Sequence, residues 1–293
     1  MGSGIAEVCA RAGAEVLLYE PGQAQLDAAR ARIDRSLSRG VDAGKLSSDE
    51  RSSTLERLCL TTDLNRLADR QLVFEAVPEQ EQLKTGLFRR LDQVLVDPDA
   101  VLATNTSSVP IARLAMATNR PQQVLGLHFF NPVPVLALVE VIPSLLTAAD
   151  VLERSERFLV EVLNKQVIRS ADRAGFVVNA LLVPYLLAAI RMADAGTVSV
   201  EEIDLGMVEG CAHPMGPLRL CDLIGLDTVH AIAESLYQEF KEPLYAPPPS
   251  LSRLVDAGLL GRKSGRGFYT YEQSAAGTAR SLGTHEGLSR EYA

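Results

Sequence analysis

The stretch LGLHFFNPVPVLALVEVI, residues 125–142, constrains this chain more than any other. Two apolar runs flank the turn NPVP and read as strands that the turn folds back on each other. Each run carries one polar residue of interest, His128 in the first and Glu140 in the second. A carboxylate among Leu, Val and Ile is costly to bury without a partner, and His128 is the nearest partner on offer. A histidine held by a carboxylate is a general acid or base poised near neutral pH. A lone histidine beside an apolar strand is more often a satisfied core residue, so that reading stands for His128 taken alone. The pairing with Glu140 shifts the balance toward chemistry, because His213, His230 and His285 have no apolar-embedded acid downstream.

The chain before this stretch alternates helix and strand. MGSGIAEVCARAG places Ile5, Val8, Cys9 and Ala12 at helical spacing, with Gly13 as the stop. AEVLLYE then reads as a buried parallel strand ending in an acid. Helix, strand and terminal acid form the second half of a dinucleotide-binding unit, in which a glycine turn approaches a pyrophosphate and an acid about 20 residues on takes the ribose hydroxyl. Gly2 is then the last glycine of that turn and Glu20, 18 residues later, the acid. An acid there disfavours a 2′-phosphate, so NAD is preferred to NADP.

Residues 23–60 read as polar helix, with Leu26, Ile33 and Leu37 as the apolar stripe. Its basic positions, Arg30, Arg32, Arg35, Arg39 and Lys45, are either a solvated face or a cationic shelf for an anionic substrate tail. The spacing predicts a strand over 72–76, a helix carrying Glu79 and Lys84, and a strand AVLATN that ends in small polar residues. Ligands bind at the carboxyl ends of such strands. Ser107 therefore suits a ligand contact, a cap for the helix starting near Pro110, or both. A helix over 147–163 and a last strand, NKQVIRS, complete this part.

After Gly175 the pattern becomes wholly helical. FVVNALLVPYLLAAIRMADAG is apolar nearly all round, as a central or interfacial helix would be, with Pro184 kinking it and Gly196 ending it. Ser199 and Glu202 fit a capping box, one helix is expected from Pro217 through Phe240, and a short one from Leu251. The expected divisions are 1–171, 172–272 and a disordered tail over 273–293.

A net charge of −8 and a pI near 5.2 argue against a nucleic-acid binder. Cys9, Cys59, Cys211 and Cys221 form no CxxC pair and read as buried free thiols, so neither zinc nor a disulfide is expected. No apolar run reaches the roughly 20 residues that span a bilayer. The default is a soluble cytoplasmic enzyme that acts on a small molecule.

Together, MGSGIA, ATNTSS, GLHFFNPVPV with LVEVI, GFVVN with LLVPYL, HPMGPL with GLD, and GRKSGRGFY resemble the L-3-hydroxyacyl-CoA dehydrogenase family over about residues 1–272. The closest resemblance is to its short bacterial members, the 3-hydroxybutyryl-CoA dehydrogenases. The resemblance implies a Rossmann-type domain, doubly wound with a mostly parallel sheet, followed by an all-α dimerisation domain. It implies that His128 is the catalytic base and Glu140 the acid that orients it, with Ser107 and Asn179 on the substrate oxygens. Gly2, Glu20, Glu79, Lys84, Ser107, Asn131 and Lys263 fall on NAD positions, and Ser36, Lys45 and Lys84 on positions for the coenzyme A part of an acyl-CoA substrate. The implied reaction is NAD-dependent oxidation of a 3-hydroxyacyl-CoA to the 3-oxoacyl-CoA by a homodimer.

Three departures accompany the resemblance. Ala174 stands where the family has Pro, and Ala180 where a basic residue is common. The first strand of the family sheet and the first two glycines of its GxGxxG turn are missing, and the expectation is that the natural start lies upstream of Met1. Two other functions fit the same residues: a dehydrogenase of a hydroxy acid without coenzyme A, and an inactive relative kept as a binding or structural dimer.

Overall fold

The computed structural model describes residues 1–271; the expected disordered tail, 273–293, lies outside the described residues. The described chain divides into two compact units, Met1–Leu182 with Ser235–Lys241, and Val183–Glu234 with residues 242–271.

In the first unit, helix α1 (Gly2–Arg11) leads into β1 (Val16–Tyr19), and α2 (Gln23–Asp42) and α3 (Ser48–Glu56) lead into β2 (Leu58–Thr61). Strand β2 corrects the expectation of helix through residue 60. Only LCLT pairs with β1, and its Cys59 is exposed, so it lacks the apolar run that marks a buried strand. Then follow β3 (Leu72–Glu75), α4 (Glu81–Val94), β4 (Val101–Thr104), α5 (Ile111–Ala115), β5 (Val124–Phe129), β6 (Leu138–Pro143), α6 (Ala149–Arg157) and β7 (Gln166–Arg169).

Strands β3 to β7 form one sheet in chain order, parallel except for the β5–β6 pair, and β1 and β2 form a separate parallel ladder. Both ladders feed the same two apolar layers. Val16, Leu72 and Phe74 pack with α1 and α6 on one face, while Leu17, Tyr19 and Val73 pack with α4 and α5 on the other. Among the described residues β1 pairs only with β2 and β3 only with β4, and β1 is only half-buried where β4 and β5 are buried throughout. A cavity of about 600 Å³ opens beside this break, lined among others by Val16, Leu17, Ala68 and Arg70.

The helical part comprises α7 (Val178–Asp194), α8 (Val200–Cys211), α9 (Pro217–Ile224), α10 (Leu226–Phe240) and α11 (Pro249–Asp256). The helix expected from Pro217 to Phe240 is two, because Gly225 at φ 103° breaks the run. The Ser199–Glu202 capping box forms. The segment GRKSGRGFYTY is tied down by a buried anion: Asp222 accepts the N–H groups of Phe268 and Tyr269 and the Tyr271 hydroxyl. A Cβ on Gly267 would sit 2.0 Å from an Asp222 oxygen, so only glycine lets the backbone approach. Burial and Asp222 push the Tyr271 phenol up to about 12.

All four cysteines are free, but Cys59 and Cys211 are exposed, correcting the expectation that all are buried. Burial pushes the Cys9 thiol up to about 12, so it behaves as an apolar core residue. No helix among the described residues is long and apolar enough to cross a membrane.

Candidate active site

Antiparallel pairing of β5 with β6 puts His128 directly opposite Glu140. His128 Nδ1 lies 2.7 Å from Glu140 Oε2, and the carboxylate is fully buried. Its other oxygen accepts the N–H groups of Val177 and Val178 at 3.0 and 2.9 Å. Glu140 thus caps the start of α7 while it holds the imidazole. Asn179 is buried in the first turn of the same helix. Phe130 and Phe176 wall the imidazole at ring separations of 4.7 and 5.5 Å. With Nδ1 committed to the carboxylate, Nε2 has no hydrogen-bond partner among the described residues.

The turn after β5 is fixed from beneath. The peptide bond between Asn131 and Pro132 is cis, and the buried Lys165 donates to the carbonyls of Val133 and Leu136, each at 2.7 Å. Asn105 accepts the Phe129 N–H at 2.8 Å, tying the end of β4 to the end of β5. These anchors escaped sequence reasoning, as did the Val177 and Val178 donors. Backbone partners leave no residue-type signature.

The loop after β4 carries Ser107, and Glu79 gathers it. Glu79 Oε1 accepts the Thr106 hydroxyl, the N–H groups of Ser107 and Ser108 at 2.9 Å each, and the Ser108 hydroxyl at 3.0 Å. Burial works to raise the Glu79 carboxyl, but Lys84 and the loop donors outweigh it and hold the group below its ordinary value. Ser107 does not cap α5. Asp172 does, accepting the N–H groups of Ile111 and Ala112 at 2.8 and 2.9 Å.

Lys84, expected on the cofactor and coenzyme A, is 1% exposed, and its ammonium is turned inward onto Glu75 and Glu79. Ser36 is half-buried, and its hydroxyl bonds the buried Glu7, whose carboxyl is raised by burial. Lys45 is exposed in the turn after α2. Lys263, in the second unit, is held by Asp227 at 2.5 and 2.6 Å.

At the start of α1, the Gly2 and Ser3 N–H groups have no helical acceptor. Gly2 packs on Ala76 just beyond β3, and a Cβ on Gly4 would come within 3.0 Å of Val133, so the helix start is pressed against the turn that follows His128. Glu20 lies close enough to the Met1 amino group to favour its charge, although burial lowers that group overall. Free N–H groups with an acid beside them, at the carboxyl ends of strands, suit a dinucleotide.

The description 3-hydroxyacyl-CoA dehydrogenase, NAD binding domain, matches residues 1–173, and the C-terminal domain of the same family matches residues 175–271. The chain belongs to the 3-hydroxyacyl-CoA dehydrogenase family. Within that family it is 61% identical over 271 residues to the 3-hydroxybutyryl-CoA dehydrogenase of Mycobacterium tuberculosis, covering 92% of this chain and 95% of the relative. The crystal structure of M. tuberculosis FadB2 superposes with a TM-score of 0.92 at 61% identity, covering 93% of this chain and 95% of that one. The (S)-3-hydroxybutyryl-CoA dehydrogenase PaaH1 of Ralstonia eutropha gives a TM-score of 0.88 at 40% identity, covering 93% and 96%. As a member of this dehydrogenase family the chain is an NAD-dependent oxidoreductase, with a Rossmann-type sheet domain followed by a helical domain. Among the described residues no group of His, Cys, Asp and Glu is placed to hold a metal ion.

Proposed function

We propose that the chain interconverts (S)-3-hydroxybutyryl-CoA and acetoacetyl-CoA, with His128 as the base and Glu140 as its partner. The observation that carries this reading is the 2.7 Å contact between His128 Nδ1 and a fully buried carboxylate, which leaves Nε2 to the substrate. In the oxidative direction Nε2 takes the proton of the 3-hydroxyl, and the Glu140 charge offsets the imidazolium that forms. Ser107 and Asn179 donate to the substrate oxygens and orient the 3-carbon. NAD, when bound, supplies the hydride acceptor for that carbon. The first turn of α1 at Gly2 takes its pyrophosphate, Glu20 its ribose hydroxyls, and Glu79, Ser107 and Asn131 border its nicotinamide half. Lys263, Ser36 and Lys45 enter through the family resemblance alone.

The reading assigns residues 1–171 to the nucleotide and 172–272 to substrate and dimer contacts. A homodimer is supported by an apolar stripe along α7. Leu181 and Met192 are 74% and 52% exposed, and on α8 Leu205 is 59% exposed, apolar side chains that a second copy would cover. Four free thiols suit the reducing cytoplasm. The test is NADH oxidation with acetoacetyl-CoA against free acetoacetate. Turnover that needs the thioester supports the coenzyme A substrate, and equal turnover of the free acid replaces it with a simple hydroxy acid.

A further inference from the structure

We infer that Glu75 and Lys84 are positioning residues for Ser107, acting through Glu79. The inference deepens the proposed function and rests on Ser107 serving the substrate. Glu75 ends β3, and its register partner across the ladder is Thr104, which ends β4. Its carboxylate is buried and fully engaged. Oε1 accepts the Val77 N–H at 2.7 Å, Oε2 accepts the Thr104 hydroxyl at 2.7 Å, and the two oxygens lie 2.8 and 3.0 Å from Lys84 Nζ. The ammonium also donates to the Val77 carbonyl at 3.3 Å and lies 3.2 Å from Glu79 Oε2.

Glu79 is therefore divided between two duties. Oε2 faces the buried cation, while Oε1 gathers the loop of Thr106, Ser107 and Ser108. Two anions and one cation in a buried cluster are strongly coupled. Both Glu75 oxygens hold the Lys84 ammonium in place, and Lys84 in turn fixes Glu79 while it draws in the loop. The chain of contacts runs from the sheet floor to the backbone of Ser107. Sequence patterns miss it because Glu75 closes a short strand and makes no surface contact. The signal it does leave is an acid beside an apolar run, nine residues before a lysine.

The test compares wild type, Glu75→Gln and the double variant Glu75→Gln/Lys84→Met, which removes one charge of each sign and so leaves the net charge of the cluster unchanged. Hydrogen exchange is read at the Ser107 and Ser108 amides and, as a control, along β4, alongside kcat and KM with acetoacetyl-CoA and NADH. The inference expects both variants to exchange the two loop amides at least tenfold faster with β4 unchanged. It also expects kcat to fall about tenfold or more in both variants. Loop exchange equal to wild type in the double variant, with full kcat, overturns it and leaves the proposed function standing. Faster loop exchange in a protein whose wild type does not turn over acetoacetyl-CoA overturns the proposed function and leaves the loop-holding network standing, with no catalytic part for it.

Discussion

His128 and Glu140 face each other across the one antiparallel pair of an otherwise parallel ladder, with Nδ1 and Oε2 at 2.7 Å. The same carboxylate holds the first N–H groups of α7. One buried charge therefore orients the imidazole and anchors the helix that carries Asn179.

That double duty separates two substitutions. Glu140→Gln keeps the shape and one acceptor, so it should fold and lose about 10²-fold or more in kcat, within the range of general-base effects. Glu140→Ala leaves the imidazole and two buried N–H groups unpartnered and should cost about 3–5 kcal/mol of stability, as breaking a buried pair does. Urea denaturation and steady-state kinetics on both variants check the split, and equal stability in the two would refute it.

Asp172 is expected to matter for stability and little for chemistry. It accepts two N–H groups at the start of α5, so Asp172→Ala should cost about 0.5–2 kcal/mol with KM for both substrates unchanged. A thermal melt beside a kinetic assay reads both quantities.

The Ser107 loop should be sensitive to acid. The folded-state carboxyl of Glu79 is held below its ordinary value, burial opposing and Lys84 with the loop donors prevailing. Its contribution is fully present above the unfolded value, about 4.3, and is lost as pH falls through the lower folded value. An NMR titration of the Ser107 and Ser108 amides should therefore show a midpoint below about 4.3, absent in Glu79→Gln. A midpoint above the ordinary value would contradict the assignment of Lys84 as the stabilising charge.

If the α7 stripe is the dimer surface, Leu181→Lys should shift the protein toward monomer in sedimentation velocity. Leu145→Lys, at a fully exposed position after β6, should leave the assembly unchanged. A wild type that sediments as a monomer would remove the interface.

The sequence made the dyad legible because two polar residues interrupt apolar runs that a proline turn folds together, and β5 pairs with β6 in that way. The all-apolar pattern of α7 and the Ser199–Glu202 box are legible from residue spacing, whereas the helix break at Gly225 is not. Strand β2 stayed hidden because four residues with an exposed Cys59 do not alternate long enough to register. The resemblance places Lys84 on cofactor and coenzyme A positions, and its inward turn to Glu75 is visible only in three-dimensional packing. Asp172 was missed as a cap because it lies sixty-one residues from the N–H group of Ile111.

The most direct test is NADH oxidation by acetoacetyl-CoA, run with the wild type and with His128→Gln after both are shown to be folded and to bind NADH. The account predicts turnover by the wild type and a loss of about 10²–10⁴-fold in kcat for the variant, with NADH affinity nearly unchanged. Equal rates in the two proteins, or no turnover by a wild type that binds NADH, would contradict it.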